Sequence, residues 1–369
     1  MNSSAIVAVS VTASLMAGCT AIAPAPPRRG AFAFHYAPSL TEEQLAWYSH
    51  FDLLVTHDPL PAEQVRHLHQ AGTKLVLYEW SVAFYDSLAA DWQRSMISAD
   101  DALLNTRPLT GGAGSDVAAA WYYDPANEPQ AIRRAEEIGA RLQRIGYDGI
   151  FLDTTTVQSV HPAARAEYER RHPDLPYDSA FARFLAALRR ELDGKLIVTN
   201  QGFRSPEHYL PWTDIDVTES LITHERDGHF VLRPWNDRED PWNSTYFIMR
   251  NLIEPVALRY PHVQFAHLNY LDDPDSEAIG VVVATAHLFD GEGFVAARTI
   301  TGEIDSIYFR DPGRPTSDRF DRPSGMTSYR FFEHGLIAVT AASEAVTIDA
   351  CGQTIAIPPS PGRPRAWFF

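Results

Sequence analysis

The chain has few cysteines and few positive charges for its length. Cys19 and Cys351 are the two cysteines in 369 residues, and a body of this size can bury a large core without disulfides. Lys and Arg number 31 against 47 for Asp and Glu, which leaves a formal net charge of -16. That charge repels phosphate backbones, so we expect no nucleic-acid partner. An acidic surface otherwise serves solubility and indicates little about a ligand.

Several motifs that carry chemistry in enzymes are missing. No glycine-rich fingerprint follows the first apolar strand run, and neither clustered lysine nor glycine-rich backbone is present to hold a phosphate. There is no G-x-S-x-G elbow. The 14 histidines include no H-E-x-x-H spacing, and the "HLHQ" stretch at 67–70 lies on a predicted exterior helix. The sequence therefore predicts a site that uses no metal and no cofactor.

The first 29 residues differ from the rest. The run "AIVAVSVTASLMAGC" is apolar, is too short to span a bilayer, and is followed by the Pro-rich stretch "APAPPRRG". It resembles a bacterial lipobox that ends in Cys19, although no Lys or Arg precedes it. We expect an exported protein with a lipid on Cys19 as its one membrane contact; simple secretion or a different start residue are the alternatives. A lipid on Cys19 leaves Cys351 without a disulfide partner.

From residue 31 onward, short apolar runs alternate with amphipathic stretches, as in repeated βα units around a parallel sheet. The helical stretch 128–146 places Ile132, Ala135, Ile138 and Leu142 on one face. Eight predicted strands favour an α/β fold, a (β/α)8 TIM barrel over residues 30–310; an open doubly wound sheet is the alternative. The predicted strands lie near residues 31–37, 51–57, 73–80, 149–153, 195–202, 214–220, 264–271 and 293–297.

The tail has a different pattern. Residues 326–369 alternate apolar and polar side chains with turn residues between them, which predicts a small β-strand extension packed on the barrel. The Pro- and Gly-rich stretch that precedes it is predicted to be a linker or an ordered loop.

In the stretch "GYDGIFLDTTT", three large apolar residues run directly into Asp153. Strands of a parallel barrel are covered on both faces and tolerate such runs, while polar residues gather where the strands end. Active sites of barrels form at this carboxyl-terminal rim. Asp153 is therefore a candidate catalytic residue, with a helix cap as the structural alternative.

Other predicted strands also end in polar or aromatic residues. Carboxylates, amides and aromatic rings that converge on one rim favour a sugar site, because amides bind hydroxyl groups and rings stack on pyranose faces. We expect substrate contacts from His35, Tyr36, Glu79, Trp80, Asn200, Gln201, Asn269 and Tyr270.

Two carboxyl groups are needed to cleave a glycosidic bond, one on each side of it. Asp153 follows the fourth predicted strand and Glu219 follows the sixth, and alternate strands of a barrel contribute to the same layer. The sequence therefore predicts Asp153 and Glu219 as the catalytic pair. For Glu219 the alternative is a salt-bridged rim residue.

The motifs "GYDGIFLDT", "VTNQG" and "DIDVTES" resemble those of glycoside hydrolase family 114 barrels, the endo-α-1,4-polygalactosaminidase-like proteins. The resemblance covers roughly residues 31 to 300. It implies a catalytic Asp at Asp153 and a catalytic Glu at Glu219, with Asp153 as nucleophile or charge stabiliser and Glu219 as acid/base in a retaining reaction.

Two functions remain open from the sequence. The first is an exported glycoside hydrolase that acts on an extracellular or envelope polysaccharide, which the family resemblance implies to contain amino sugars. The second is a non-catalytic carbohydrate-binding lipoprotein on a glycosidase-like barrel. The enzyme requires both Asp153 and Glu219 at bond-flanking distance, whereas a binding protein tolerates the loss of either.

Overall fold

Eight parallel strands form the main sheet of the computed structural model, which describes residues 30–99, 101–105, 107–110, 119–272, 275–297, 306–322, 325–350 and 353–369. Each strand pairs in parallel with the next along the chain, from the first to the eighth. The strands are β1 (Gly30–His35), β2 (Phe51–Thr56), β3 (Lys74–Trp80), β4 (Gly149–Asp153), β5 (Leu196–Asn200), β6 (Ile215–Glu219), β7 (Gln264–Leu271) and β8 (Gly291–Ala297).

The sequential strand order confirms the predicted (β/α)8 barrel. A doubly wound sheet would reverse its strand order partway, which this sheet does not do. The sheet is nearly closed, because β8 lies against β1 and the rings of Phe32 and Phe294 are 5.9 Å apart.

Helices separate most of the strands. They are α1 (Glu42–Tyr48), α2 (Ala62–Ala71), α3 (Asp91–Ala99), α4 (Glu128–Ile145), α5 (Pro162–Arg171), α6 (Tyr177–Glu191), α7 (Pro206–Tyr209), α8 (Thr245–Ile248), α9 (Glu254–Arg259) and α10 (Ser276–Leu288), with a π-helical turn at Met249–Ile253 between α8 and α9.

The ends and the buried face of α4 follow from its sequence. The Asn127 side chain caps the first turn by accepting from the amide of Gln130, and Gly146 ends the helix at φ 74°. The prediction for Ile132 is wrong, because its side chain is 36% exposed. The buried face contains Ala131, one helical step of 100° away, together with Ala135, Ile138 and Leu142.

Two antiparallel strand pairs extend the rim of the barrel. The first joins Ala83–Tyr85 and Ala120–Tyr122 after β3, with α3 between them in the chain. The second is a hairpin of Thr223–Arg226 and His229–Leu232 after β6. Asp227 and Gly228 close this hairpin with φ 54° and 79°, the left-handed geometry of a two-residue Asp-Gly turn.

The C-terminal strands pack on α10, as the predicted β extension requires. Helix α10 is buried along its length, and its residues Ala284 and Leu288 belong to the same apolar cluster as Ile337 and Val339. The strands are β9 (Phe320–Asp321), β10 (Thr327–Phe332), β11 (Gly335–Thr340), β12 (Val346–Ala350), β13 (Gln353–Ile357) and β14 (Arg365–Phe368). Strands β9, β10, β11 and β14 form one antiparallel sheet, and β12 pairs with β13.

Among the described residues, we find no helix whose length and apolar character would let it cross a membrane. Cys19 and Cys351 lie outside the described residues, so the lipid anchor stays a prediction from the sequence.

Candidate active site

An aromatic layer inside the barrel supports the candidate site. The ring of Phe151 on β4 lies 5.1 Å from that of Phe34 on β1 and 5.7 Å from that of Tyr78 on β3. Successive side chains of a strand point to opposite faces, so Asp153, two residues after Phe151, points to the same inner side. The apolar run therefore delivers a carboxylate to the rim directly above the barrel core.

One amide nitrogen joins the two predicted catalytic carboxylates. Nδ2 of Asn200, at the end of β5, donates to Oδ1 of Asp153 at 2.7 Å and to Oε2 of Glu219 at 2.9 Å. Asp153 and Glu219 close β4 and β6, the strands on either side of β5. The shared nitrogen therefore holds the two carboxylates close together at the rim. Both are half-buried and so remain partly open to solvent.

Three donors fix the Asp153 carboxylate. Besides Asn200, the hydroxyl of Tyr78 donates to Oδ2 at 2.5 Å, and the amide of Thr154 donates to Oδ1 at 2.7 Å. The helix-cap alternative does not hold, because the next helical turn has Thr156 at its N-cap position and takes no bond from Asp153. A carboxylate held by three donors is oriented to act as an acceptor or nucleophile.

Glu219 has a different environment. The hydroxyl of Tyr270, on β7, hydrogen-bonds Glu219 and lies 2.9 Å from the hydroxyl of Tyr36, whose side chain is 48% exposed. Burial raises the pKa of Glu219, and the nearby Asp153 charge raises it further, while the bonds from Asn200 and Tyr270 lower it. No Lys, Arg or His of the described chain forms a salt bridge with Glu219, so the salt-bridge alternative fails.

The backbone turns sharply after each of the three bridged residues. Thr154, Gln201 and Ser220 directly follow Asp153, Asn200 and Glu219, and have φ 56°, 63° and 54°. Non-glycine residues rarely adopt this left-handed conformation, and such outliers cluster at functional sites. Three of them on consecutive strands indicate that the chain leaves each strand abruptly, which presents the preceding side chain at the rim.

Five of the residues predicted to contact substrate lie away from the carboxylate pair. His35 is buried against the ring of Tyr48 and bonds the carbonyl of Ser39. Glu79 pairs with Arg141 of α4 at 3.3 Å, and burial raises its pKa. The prediction of a sugar contact from these two is corrected, because each lies between the barrel and its surrounding helices.

Asn269, Gln201 and Trp80 are also placed elsewhere. Oδ1 of Asn269 accepts from the amides of Ile222 and Thr223 and so anchors the loop after β6. Gln201 bonds Arg204. Trp80 is 8% exposed, and its ring is stacked on Tyr85 at 4.5 Å, so it offers no open platform. Of the eight predicted substrate contacts, Tyr36, Asn200 and Tyr270 meet at the acids.

Tyr78, which lies at the end of the third predicted strand, was not among the predicted substrate contacts, yet it lies at the site. Its hydroxyl contacts Asp153, and its ring is stacked against His57 at 4.6 Å. The alternation along the strand could have indicated it, because Tyr78 lies two residues before Trp80 and therefore shares its face. Within the described chain, no group of three or more potential metal ligands occurs.

Structures of carbohydrate-active barrels resemble this one. The glycoside hydrolase domain of PelA from Pseudomonas aeruginosa superimposes with a TM-score of 0.53 at 21% identity, over 73% of this chain and 94% of its own. Eubacterium rectale Amy13B superimposes with a TM-score of 0.56 at 8% identity, over 90% of this chain and 95% of its own. The cyclic α-maltosyl-(1→6)-maltose hydrolase from Arthrobacter globiformis gives 0.50 at 11% over 86% of each chain.

Sequence comparison adds no closer relative. No protein-family model matches the chain, and no curated protein matches it by sequence. The identities are low, so the likeness establishes the fold: the chain shares the barrel architecture of these glycoside hydrolases.

Proposed function

We propose that the protein is an exported glycoside hydrolase that cleaves a glycosidic bond in an extracellular or cell-envelope polysaccharide. The observation that carries this proposal is the Asn200 nitrogen that contacts both Asp153 and Glu219 at an open rim. Hydrolysis of a glycosidic bond needs two carboxyl groups on opposite sides of it. The fold shared with known glycoside hydrolases supports the same conclusion.

The spacing favours retention of configuration. Oδ1 of Asp153 and Oε2 of Glu219 accept from one nitrogen, at 2.7 and 2.9 Å. The distance between these two oxygens therefore cannot exceed the sum of the two hydrogen-bond lengths. Inverting enzymes separate their carboxyl groups by about 6.5 to 9.5 Å to admit a water, and retaining enzymes by about 5 to 5.5 Å.

In the retaining reaction, a carboxylate oxygen of Asp153 attacks the anomeric carbon while Glu219 gives its proton to the departing glycosidic oxygen. A glycosyl ester of Asp153 results. Glu219 then takes a proton from water, the water oxygen bonds the anomeric carbon, and the ester bond to Asp153 breaks. Burial, which raises the pKa of Glu219, favours the protonated form that the first step requires.

The finer parts of the proposal rest on the sequence. A relationship to glycoside hydrolase family 114, and with it an amino-sugar substrate, is supported by the motifs that end in Asp153 and Glu219. Export with a lipid on Cys19 is supported by the apolar segment that precedes it.

Substitution of the two acids tests the proposal. Release of reducing ends from neutral, amino-sugar and acidic polysaccharides identifies a substrate, and Asp153→Asn and Glu219→Gln should then each lower kcat by at least about 100-fold. Thermal melting should change little, because both side chains are half-exposed. Glu79→Gln is the matched control: it removes a carboxylate outside the site and should leave kcat per folded molecule within a few-fold.

Unchanged hydrolysis in either acid variant would remove that residue from the mechanism. A wild-type protein that binds polysaccharide and releases no reducing ends across the panel would instead support the non-catalytic binding protein.

A further inference from the structure

A large groove lies beside the carboxylate pair. Its volume is about 1130 Å³, and its walls come from residues within 224–243, from the end of β7 and the start of α10, and from the C-terminal segment 362–364. Neither Asp153 nor Glu219 lines it. Binding sites for single small molecules measure roughly 300 to 1,000 Å³, so this groove has room for several sugar rings.

Aromatic rings connect the groove to the candidate active site. Phe230 lines the groove, and its ring lies 5.5 Å from that of Tyr270. Tyr270 in turn hydrogen-bonds Glu219 and Tyr36. A chain that extends from the acids over Tyr270 therefore meets Phe230 and enters the groove.

The charged groups that line the groove are nearly balanced in number. Three arginines and four carboxylates line it: Arg226, Arg233, Arg363, Glu225, Asp237, Asp240 and Asp272. The guanidinium of Arg233 donates hydrogen bonds to the carbonyls of Thr223 and Ser220, at 3.0 and 3.3 Å. Arg363 pairs with Asp275 at 3.2 Å. No cluster of unengaged cations is therefore present among the described residues to hold an anionic ligand.

Acceptors and an exposed aromatic ring remain for a hydroxylated ligand. The carboxylates of Glu225 and Asp240 line the groove on exposed residues and can accept hydrogen bonds from the hydroxyl groups of a ligand. Trp242, next to the lining residue Asn243, is 63% exposed and rests edge-to-face on Phe247 at 4.9 Å. Hydroxyl donors and a ring that stacks on sugar faces fit a neutral or weakly charged glycan.

We propose that this groove holds the part of a polysaccharide chain that lies beyond the cleaved bond, as a row of distal sugar subsites. The inference rests on the proposed function, because the chain is the substrate of the acid pair. It adds a stated ligand class, neutral or amino-sugar polysaccharide, and a preference for long chains over short glycosides.

Binding without turnover tests the groove separately from the reaction. The Asp153→Asn/Glu219→Gln double variant is run in native gels that each contain dextran, mannan, chitosan or alginate. The same gels are run with the double variant that also carries Phe230→Ala or Trp242→Ala. We expect at least one of the first three polymers to retard the double variant. The affinity for that polymer should fall about fivefold in each variant that also carries Phe230→Ala or Trp242→Ala. Leu258→Ala removes another exposed apolar side chain, on α9, and should change nothing.

Retardation by alginate alone, no retardation by any polymer, or equal retardation of the groove variants would overturn the proposal. Failure of hydrolysis would not affect this result, since the gels measure binding by a protein without its acids.

Once a substrate is identified, Trp242→Ala should lower kcat/KM on the polymer about fivefold more than on an aryl glycoside of the same sugar. An equal effect on both would contradict distal subsites.

Discussion

At the residue scale, Asn200 links the carboxylates of Asp153 and Glu219 by hydrogen bonds. Its single amide group donates to both acids, and its hydrogen bond lowers the pKa of Glu219 against the opposing effects of burial and the Asp153 charge. In the proposed reaction, Asn200 is a positioning residue that moderates the acidity of Glu219. A carboxyl that gives and takes a proton near neutral pH requires such a balance.

We predict that Asn200→Ala shifts the alkaline limb of the pH profile upward. Without the amide, the ionised form of Glu219 loses a donor, so its pKa rises, and Glu219 keeps its proton to a higher pH. A charged hydrogen bond of ordinary strength corresponds to a shift of about one pH unit. The measurement is kcat/KM against pH.

The neighbouring amide provides the control for this prediction. Gln201→Ala removes the same chemical group one position later, where it bonds Arg204 and not the acids, so the limb should stay in place. Equal shifts in both variants would show that the effect is not specific to the Asn200 bridge.

Residue-level prediction from the sequence placed the two acids together at one rim and overcounted their neighbours. His35 and Tyr36, Asn200 and Gln201, and Asn269 and Tyr270 were each expected to contact substrate as pairs. Adjacent side chains of a strand point to opposite faces, so only one of each pair can face the barrel interior. The period of two was available in the sequence, and it would have removed His35 and Asn269.

At the element scale, the turn after β5 is anchored by a buried carboxylate. Asp216 on β6 accepts from the amides of Gly202 and Phe203 at 2.7 and 2.8 Å and from the hydroxyl of Thr199 at 2.7 Å. The turn begins at Gln201, immediately after Asn200, and leaves no room for a side chain at Gly202. This packing holds the strand end from which Asn200 reaches the acids.

We predict that Gly202→Ala lowers the free energy of unfolding by about 1 to 3 kcal/mol. The added Cβ would lie 2.8 Å from Oδ1 of Asp216 and 2.8 Å from Oγ1 of Thr199, closer than carbon and oxygen pack. Urea unfolding measures the change.

Gly139→Ala on α4 is the matched control, because its Cβ meets its nearest atoms at 3.7 Å and the helix favours alanine. It should raise the free energy of unfolding by about 0.5 to 1 kcal/mol. A Gly202→Ala protein as stable as Gly139→Ala would mean that the turn relaxes without strain.

Strand positions were well predicted, and the hairpin beside the groove was not. The apolar runs placed β4 and β7 at their observed bounds, since a buried strand is a local feature. The hairpin at 223–232 carries an Asp-Gly turn that could have indicated it. No local pattern shows that Phe230 of this hairpin lies against Tyr270, because that contact joins distant segments.

At the scale of the whole molecule, α10 joins the barrel to the C-terminal sheet. The helix is apolar on all sides and buried on all sides, as expected of a helix covered by two layers. Ala284 and Leu288 share one cluster with Phe265 of β7 and with Ile337 and Val339 of β11. The barrel and the sheet therefore share a core.

We predict that Ile337→Ala destabilises both parts together, by about 2 to 5 kcal/mol, with a single unfolding transition. Ile337 is 2% exposed, whereas Leu258, the control, is 76% exposed, so Leu258→Ala should change stability by less than about 0.5 kcal/mol. Differential scanning calorimetry gives both values. A first transition confined to the sheet, with the barrel transition unmoved, would show that the two parts do not share a core.

The sequence by itself determined the eight strands and the two acids that end the fourth and sixth, because an apolar run and the residue that ends it are local features. The tertiary structure alone decided which side chains meet. The register between β4, β5 and β6 places one amide between two carboxylates, and segments far apart in the chain enclose the groove. These relations depend on packing between distant residues, and local patterns carry no record of that packing.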